Sequence, residues 1–311
     1  MNRQGLAVQL GPLQLKNPVM VASGTFGYGQ EYVDMVRPDL LGALVVKGIS
    51  LEPRPGNPPP RIWETYGGML NAIGLQNVGA RVFVEEKLPW LKTFAVPVIV
   101  NIFGNTLEEY RSLAAMLDGC PGIAALEINI SCPNVKAGGM VFGTDPHMVS
   151  QVVAMVRSAT ALPIITKLTP NVTDITVTAR AAEQAGSDAL SLINTISGMA
   201  VNVETRRPRL ANVVGGLSGP AIKPIALRLV WQVVQAVSIP VIGLGGISST
   251  EDALEFLIAG ARAIQVGTAN FVNPRITLEI IEGLQTYLQR HGFSHINEVI
   301  GSLQLSESST D

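Results

Sequence analysis

The sequence predicts an α/β fold, a (β/α)₈ TIM barrel, and three observations support it. Eight short apolar runs alternate with eight helical stretches along the chain, which is typical of a closed parallel barrel. No linker or charge run divides the 311 residues. Hydrophobic residues make up 47% of the chain and charged residues only 15%, as expected when most strands are covered on both faces. We therefore predict one domain, residues 1–311, rather than two.

The predicted strands are the short apolar runs Pro18–Ala22, Ala43–Lys47, Val96–Ile102, Ile123–Ile130, Ile164–Leu168, Ala189–Ile193, Val241–Leu244 and Ala263–Val266. The predicted helices are Gln30–Val36, Val78–Thr93, Leu107–Leu117, Pro146–Thr160, Val172–Ala185, Pro220–Val237, Thr250–Ile258 and Pro274–Arg290. Thr106 precedes Leu-Glu-Glu and is typical of an N-cap. Pro146, Pro220 and Pro274 suit a first helical position.

Three further segments are predicted around the barrel. Residues 6–15 alternate apolar and polar side chains about a Gly-Pro turn, which indicates an N-terminal hairpin ahead of the first barrel strand. Two connections are unusually long, Gly48–Asn77 and Gly198–Gly219, and both contain apolar residues. Because long loops in compact folds are usually functional or disordered, we expect these two to form ordered covers over a site at the C-terminal face.

Composition excludes several classes of function. The net charge is −2 with no basic patch, so the electrostatic footprint of a nucleic-acid-binding protein is missing. No apolar run approaches the ~18 residues that span a bilayer, and the first residues show no signal-peptide pattern. Two cysteines provide neither a disulfide framework nor a four-thiolate metal site. We expect a cytoplasmic protein with no metal, membrane or nucleic-acid partner.

Reactive groups of such barrels lie at the C-terminal ends of the strands. Those found there are Ser23, Gly24, Lys47, Asn101, Asn129, Cys132, Lys167, Asn194, Thr195, Gly245, Gly246, Gly267 and Thr268. No pair of carboxylates is among them, which argues against glycosidase chemistry. The three histidines fall in helical or tail segments and are interpreted as surface residues.

Each polar group at the strand ends has a chemical use. Glycines at the ends of the last two strands favour a phosphate site. Lys47 and Lys167 supply fixed positive charge for an anionic ligand or an anionic reduced cofactor. Asparagines, including Asn71, offer donors and acceptors to a ring bearing amides. Cys132, on a polar loop after a buried strand, is placed to act as a thiolate, whereas Cys120 is expected at the opposite end of the barrel.

Two other classes of function share parts of this pattern. In an aldolase or isomerase acting on a phosphorylated substrate, Lys167 would be a Schiff-base amine. A non-catalytic binding protein could also use a barrel fold, and Cys132 would then be a packed thiol.

The motifs together resemble those of the class 1 dihydroorotate dehydrogenases, FMN-dependent barrels of pyrimidine biosynthesis. The resemblance extends from Asn17 to Thr268, and its motifs are Lys47-Gly48, Gly56–Pro58, Asn71–Leu75, Asn129–Asn134 and Gly245-Gly246. Residues 71–77 are similar to the type B catalytic subunit, because type A enzymes tend to have Ser-Met in place of Ala72-Ile73 and Pro in place of Gln76. Class 2 enzymes have an N-terminal extension and a serine base, where this chain has Cys132.

The resemblance implies a role for each matching residue. Cys132 would be the catalytic base in the oxidation of (S)-dihydroorotate to orotate, with hydride passing to FMN. The residues implied to bind FMN are Ser23, Lys47, Gly48, Asn101, Asn129, Lys167, Ile193, Gly219, Gly245, Gly246, Gly267 and Thr268. Those implied to bind the substrate are Lys47, Asn71, Ala72, Ile73, Gly74, Leu75, Asn129, Asn194 and Thr195.

The resemblance also implies partners. Type B enzymes pair with an electron-transfer subunit that carries FAD and a [2Fe–2S] cluster and reduces NAD, in a heterotetramer built on a homodimer of the catalytic subunit. This chain has too few cysteines to hold such a cluster itself. The alternative within the family is a type A homodimer that uses fumarate.

Overall fold

The computed structural model describes residues 5–130 and 142–305. Their core is a closed barrel of eight parallel strands in sequence order, so the predicted barrel is confirmed. The barrel strands, here β1 to β8, are Val19–Val21, Ala43–Val45, Val98–Ile102, Ile123–Asn129, Ile164–Lys167, Ala189–Leu192, Val241–Leu244 and Ala263–Val266. β8 pairs with β1 and closes the ring.

The barrel strands are apolar because helices cover their outer faces and side chains fill the interior. Every residue of β1, β2, β3 and β5 to β8 is buried, which accounts for near-continuous apolar runs rather than an alternating pattern. Buried polar side chains interrupt these runs at a few positions, one of which is in β4. Glu127, in the middle of its apolar run, is 0% exposed.

The long helices of the outer layer are Leu107–Asp118, Pro146–Arg157, Ile175–Gln184, Lys223–Val234, Thr250–Ile258 and Ile276–His291. Shorter α-helices are Gly79–Val82, Leu88–Leu91 and Ala269–Val272, and the 3₁₀ turns are Gln30–Tyr32, Pro38–Leu40, Pro220–Ile222 and Ile296–Glu298. The predicted N-cap is confirmed, since the Thr106 hydroxyl accepts a hydrogen bond of 3.2 Å from the Glu109 N–H.

Two predicted helices in the first third of the chain need correction. The predicted helix Gln30–Val36 is wrong, because only the 3₁₀ turn Gln30–Tyr32 forms; it follows Gly29, whose φ is 92°, and the ring of Tyr32 stacks on Phe26 at 4.2 Å. The predicted helix Val78–Thr93 is interrupted by a π-helical turn, Phe83–Lys87.

Pro274 does not begin a helix. It lies in the turn between Ala269–Val272 and Ile276–His291. The side chain of Asn273 accepts a hydrogen bond of 3.0 Å from the N–H of Arg275. This local bond competes with helical pairing and delays the helix start to Ile276.

The predicted hairpin is confirmed at the N-terminal end of the barrel. Val8–Leu10 pairs antiparallel with Leu13–Leu15. A Cβ at Gly11, in its turn, would lie 2.9 Å from the carbonyl oxygen of Asp188, just before β6. The hairpin therefore closes the end of the barrel that is opposite to the C-terminal ends of the strands.

The two long connections pair with each other across the C-terminal face. They form a four-stranded antiparallel sheet, called here the cover sheet, in the order Ile196–Met199, Val214–Ser218, Gly68–Asn71 and Ile62–Thr65. A short ribbon of Val201–Asn202 and Arg207–Pro208 extends from it. The prediction of ordered covers is confirmed.

Two negative findings apply to the described ranges. None of the helices in residues 5–130 and 142–305 is both long enough and apolar enough to cross a membrane. The same residues contain no group of three or more His, Cys, Asp or Glu side chains that could hold a metal ion.

Candidate functional site

A cavity of about 440 Å³ lies between the strand ends of the barrel and the cover sheet. Eighteen of the twenty predicted site residues line it: Ser23, Lys47, Gly48, Asn71, Ile73, Gly74, Leu75, Asn101, Asn129, Lys167, Ile193, Asn194, Thr195, Gly219, Gly245, Gly246, Gly267 and Thr268. Residues from all eight barrel units and from both long connections therefore meet at one place.

The other two predicted residues are Ala72 and Cys132. Ala72 does not line the cavity, which corrects its expected position: it is fully buried in a small cluster with Leu70 and Leu210. It follows Asn71 directly, and successive side chains of extended chain point to opposite sides. Cys132 lies outside the described residues.

Several cavity residues were not expected from the sequence. They include Thr25, Arg61, Met69, Gln76, Ser218 and Phe271. Gln76 belongs to a motif already noted, but Arg61 and Met69 are brought to the cavity only because the two long connections pair as a sheet. No local sequence pattern predicts that pairing.

The glycines after β7 form a tight cradle. Gly245 and Gly246 have φ of 127° and 79°, a region that glycine occupies without strain. A Cβ at Gly246 would come within 2.8 Å of the backbone nitrogen of Lys223 and 2.9 Å of the backbone oxygen of Gly219. Side chains are therefore excluded here, and the backbone beside the helix Lys223–Val234 faces the cavity, as an anion site requires.

The carboxylate of Asp252 binds the chain just after Gly245 and Gly246. Its Oδ2 accepts hydrogen bonds from the Ser248 N–H and hydroxyl at 2.8 and 2.9 Å, and its Oδ1 lies 2.7 Å from Lys223 Nζ. Burial acts to raise the pKa of Asp252, but the hydrogen bonds from Lys223 and Ser248 outweigh it and hold the pKa below its usual value. The hydrogen bonds to Asp252 and Glu255 raise the pKa of Lys223.

The floor of the cavity carries an amide and an ammonium group. Asn101 is 1% exposed and Lys167 is 5% exposed. Beneath them, Glu127 Oε1 accepts a 2.7 Å hydrogen bond from Asn101 Nδ2 and lies 3.6 Å from Lys167 Nζ. Among the described residues, Asn101 Oδ1 is buried without a hydrogen-bond partner. A Cβ at Gly48 would lie 2.6 Å from that oxygen, so glycine leaves room beside it.

Three asparagines bring amide groups to the cavity from different elements. Asn129 ends β4, Asn194 follows β6, and Asn71 ends a strand of the cover sheet. Asn194 Nδ2 lies 3.5 Å from Asn129 Oδ1, and Asn71 Nδ2 lies 3.4 Å from the Gly216 oxygen. Both contacts are long for hydrogen bonds, whereas the Asn194 Oδ1 accepts a 2.8 Å hydrogen bond from the Thr195 N–H.

The backbone at Leu75 is strained beside the cavity. Leu75 has φ of 59°, and Gly74 has φ of 74°. A bulky residue at positive φ is an outlier, and such conformations concentrate at ligand sites. The Leu75 carbonyl oxygen accepts a 2.9 Å hydrogen bond from Asn77 Nδ2, which helps to hold this conformation.

The remaining cysteine and the histidines lie away from this cavity, as expected. The sulfur of Cys120 lies 3.3 Å from the Met116 oxygen, before the start of β4. His147 and His291 are exposed, and His295 caps a 3₁₀ turn, its side chain accepting from the Asn297 N–H at 3.2 Å.

Comparison with known proteins gives one consistent family. The family model described as dihydroorotate dehydrogenase matches residues 5–288. The chain is 58% identical to the dihydroorotate dehydrogenase B (NAD(+)), catalytic subunit, of Geotalea uraniireducens, over 97% of this chain and 99% of that protein. Proteins of the same name from Pelobacter propionicus and Geobacter sulfurreducens are each 59% identical, over 96% and 98% of this chain and 98% and 100% of theirs.

Proposed function

Because this chain belongs to the dihydroorotate dehydrogenase family, we propose that it oxidises (S)-dihydroorotate to orotate in pyrimidine biosynthesis, as the catalytic subunit of a type B enzyme. The observation that carries the proposal is a single cavity that combines a glycine cradle, two lysines and three asparagines. This set suits a phosphate-bearing cofactor beside a small, planar, anionic substrate with ring amides. We also propose that residues 1–311 act as one catalytic domain.

FMN is the cofactor that these residues fit. Its phosphate would be held by the backbone at Gly245, Gly246 and Gly267, and its ring by Asn101 and Lys167. The unpaired Oδ1 of Asn101 and the space that glycines leave are what a bound ring and phosphate would use. FMN, when bound, supplies the acceptor for hydride from the substrate. The ammonium group of Lys167 favours negative charge at this floor.

The substrate would occupy the side of the cavity under the cover sheet. The amides of Asn71, Asn129 and Asn194 can donate to ring carbonyls and accept from ring N–H groups. Lys47 also lines the cavity, where a Cβ at Gly24 would be 3.9 Å from its Nζ. Its ammonium group would bind the substrate carboxylate and orient the ring, with residues 73–75 and Thr195 around it.

Cys132 is the proposed base. It would remove the proton from the carbon next to the one that loses hydride. Its place in the sequence, three residues after Asn129, supports this role, and so does its chemistry, because a thiol ionises far closer to neutral pH than a serine hydroxyl does.

A second subunit is the proposed electron acceptor. It would carry FAD and a [2Fe–2S] cluster and would reduce NAD, in a cytoplasmic heterotetramer built on a homodimer of this chain. Two observations support this: the relatives are named as NAD(+)-linked catalytic subunits, and this chain has only two cysteines, too few for cluster ligation.

The test is anaerobic rapid mixing of the FMN-loaded chain with dihydroorotate. The flavin absorbance should bleach, and orotate should form in equal amount. With an artificial acceptor the isolated chain should turn over, whereas NAD should be reduced slowly unless the electron-transfer subunit is added. Absence of bleaching would overturn the proposed reaction. Rapid turnover with fumarate would replace the type B assignment by type A.

A further inference from the structure

A carboxylate lies inside the barrel directly under the cavity. Glu127 projects from β4 and contacts side chains of four other strands. Its Oε1 meets Asn101 of β3 and Lys167 of β5, as described above. Its Oε2 accepts hydrogen bonds of 2.9 Å from the Ser191 hydroxyl on β6 and of 2.8 Å from Gln265 Nε2 on β8.

Three hydrogen-bond donors and one ammonium group surround this carboxyl group. Asn101, Ser191 and Gln265 each give one hydrogen bond, and Lys167 supplies an ammonium group at 3.6 Å. A carboxylate can accept from each of these groups. The Lys167 ammonium group at 3.6 Å favours the ionised form, which places a buried negative charge beside a buried positive one.

The two oxygens of Glu127 face different surroundings. Oε1 contacts two residues that line the cavity, Asn101 and Lys167. Oε2 contacts Ser191 and Gln265, both 0% exposed and neither a part of the cavity lining. Glu127 does not line the cavity either, so it would influence a ligand only through the residues above it.

We propose that Glu127 is a positioning residue that orients Asn101 and Lys167 toward the flavin and, by its negative charge, lowers the reduction potential of that flavin. The inference rests on the proposed function, because it requires FMN on this floor. The Lys167 ammonium favours the reduced, anionic ring, and a carboxylate beneath it offsets part of that effect. With its Oδ1 pointing away from Glu127, Asn101 is held in one orientation by the bond from its Nδ2.

Glu127→Gln removes the charge while preserving the shape. The new side chain can direct its amide oxygen at Asn101 and Lys167 and its NH₂ toward the Oε2 side. There, the Oε1 of Gln265 is buried without a hydrogen-bond partner in the described part of the chain. A rotation of the Gln265 amide would present that oxygen to the new NH₂. The substitution can therefore keep a hydrogen bond on both sides of the new side chain while it removes the charge.

The matched control is Ser191→Ala. It removes one hydrogen bond from the same carboxylate, on the side away from the cavity, and leaves the charge of Glu127 in place. Glu127→Asp is the conservative variant, which keeps the charge on a side chain shorter by one methylene group.

The experiment measures the two-electron reduction potential of FMN bound to each variant, by anaerobic titration against a reference dye. Glu127→Gln should raise the reduced-to-oxidised ratio at fixed potential about tenfold, a shift of about 30 mV for two electrons. Ser191→Ala and Glu127→Asp should stay near the wild-type potential. A flavin-loaded Glu127→Gln protein with the wild-type potential would overturn the proposal, as would an equal shift in Ser191→Ala.

A second comparison tests the charge of Glu127 in another background, so that the result does not depend on the Glu127→Gln single variant alone. Lys167→Met should lower the potential, and the double variant Lys167→Met/Glu127→Gln, which removes both charges, should lie above Lys167→Met alone. Equal potentials in those two proteins would also overturn the role of Glu127. Failure of the wild-type chain to bind FMN at all would instead refute the proposed function, so the two failures are distinguishable.

Discussion

The hydroxyl of Thr268 donates a hydrogen bond of 2.8 Å to the hydroxyl of Ser218. Thr268 follows β8, and Ser218 ends a strand of the cover sheet, so this bond joins the two bodies between which the cavity lies. Both residues line the cavity. The roof of the site is thus tied to the barrel at the proposed phosphate end.

Ser218→Ala should loosen the cover sheet without unfolding the barrel. Loss of one neutral hydrogen bond costs about 1 kcal/mol, which should appear as faster amide hydrogen exchange in Val214–Ser218 and Gly68–Asn71. Amides of β5 to β7 should exchange as in wild type. Equal acceleration of amide exchange in the barrel strands and in the cover sheet would show that this hydrogen bond supports the whole fold rather than the cover sheet.

Asp252→Asn should weaken the glycine turn and alter the pH dependence of unfolding. The pKa of Asp252 is lowered in the folded state, so its stabilisation is present above the unfolded pKa of about 4 and is lost as pH falls through the folded pKa. At pH 7 the variant should lose about 2 kcal/mol, the cost of charged hydrogen bonds.

The check for this variant is urea denaturation of the apoprotein between pH 7 and pH 3. The difference between wild type and Asp252→Asn should shrink as the pH approaches 3. Glu255→Gln is the control, since Glu255 contacts Lys223 at 2.8 Å but does not hold Ser248. A difference that is constant with pH would contradict the charge-based account.

Lys167→Met should lower the free energy of unfolding of the apoprotein by more than the loss of the buried packing of Lys167 would alone. It leaves Glu127 as a buried charge with three neutral donors, and breaking a buried ion pair costs about 3 to 5 kcal/mol. The double variant with Glu127→Gln should recover part of that loss, as a double-mutant cycle of unfolding free energies would measure. Strict additivity would mean that the two side chains do not interact.

Cys132→Ser tests the base. Because a serine hydroxyl holds its proton far more tightly than a thiol, flavin reduction by dihydroorotate should be greatly slowed at neutral pH and should recover partly in alkali. Dihydroorotate binding should change little, since Asn71, Asn129 and Asn194 remain. Wild-type rates of flavin reduction across the pH range, followed by rapid mixing, would exclude Cys132 as the base.

The strand and helix pattern of the barrel could be predicted because it is local. β7 and β8 have the predicted limits, and the helix Thr250–Ile258 agrees at both ends. Strands that are covered on both faces are largely apolar, and their boundaries are therefore visible in the amino-acid composition. The helix predicted at Gln30–Val36 fails because Tyr32, within the segment, packs its ring on Phe26, which lies before the segment.

The strand-end residues could be predicted for a similar reason. In a parallel barrel all carboxyl ends meet at one face, so a residue's position at or just after the carboxyl end of its strand is enough to bring Ser23, Asn101, Lys167 and Gly245 to one cavity. Ala72 shows the limit of this reasoning, because the direction of a side chain in a long connection depends on its strand pairing.

The sequence by itself determined the barrel, the face that carries the site and the kinds of group found there. Only the tertiary structure decided that the two long connections pair as a cover sheet, bringing Arg61 to the cavity. It also placed Glu127 against Lys167. These residues are far apart or on different strands, and an isolated glutamate in an apolar run gives no sign of its partner. Contact across a closed barrel depends on register, which is set by the packing of the whole molecule rather than by any local pattern.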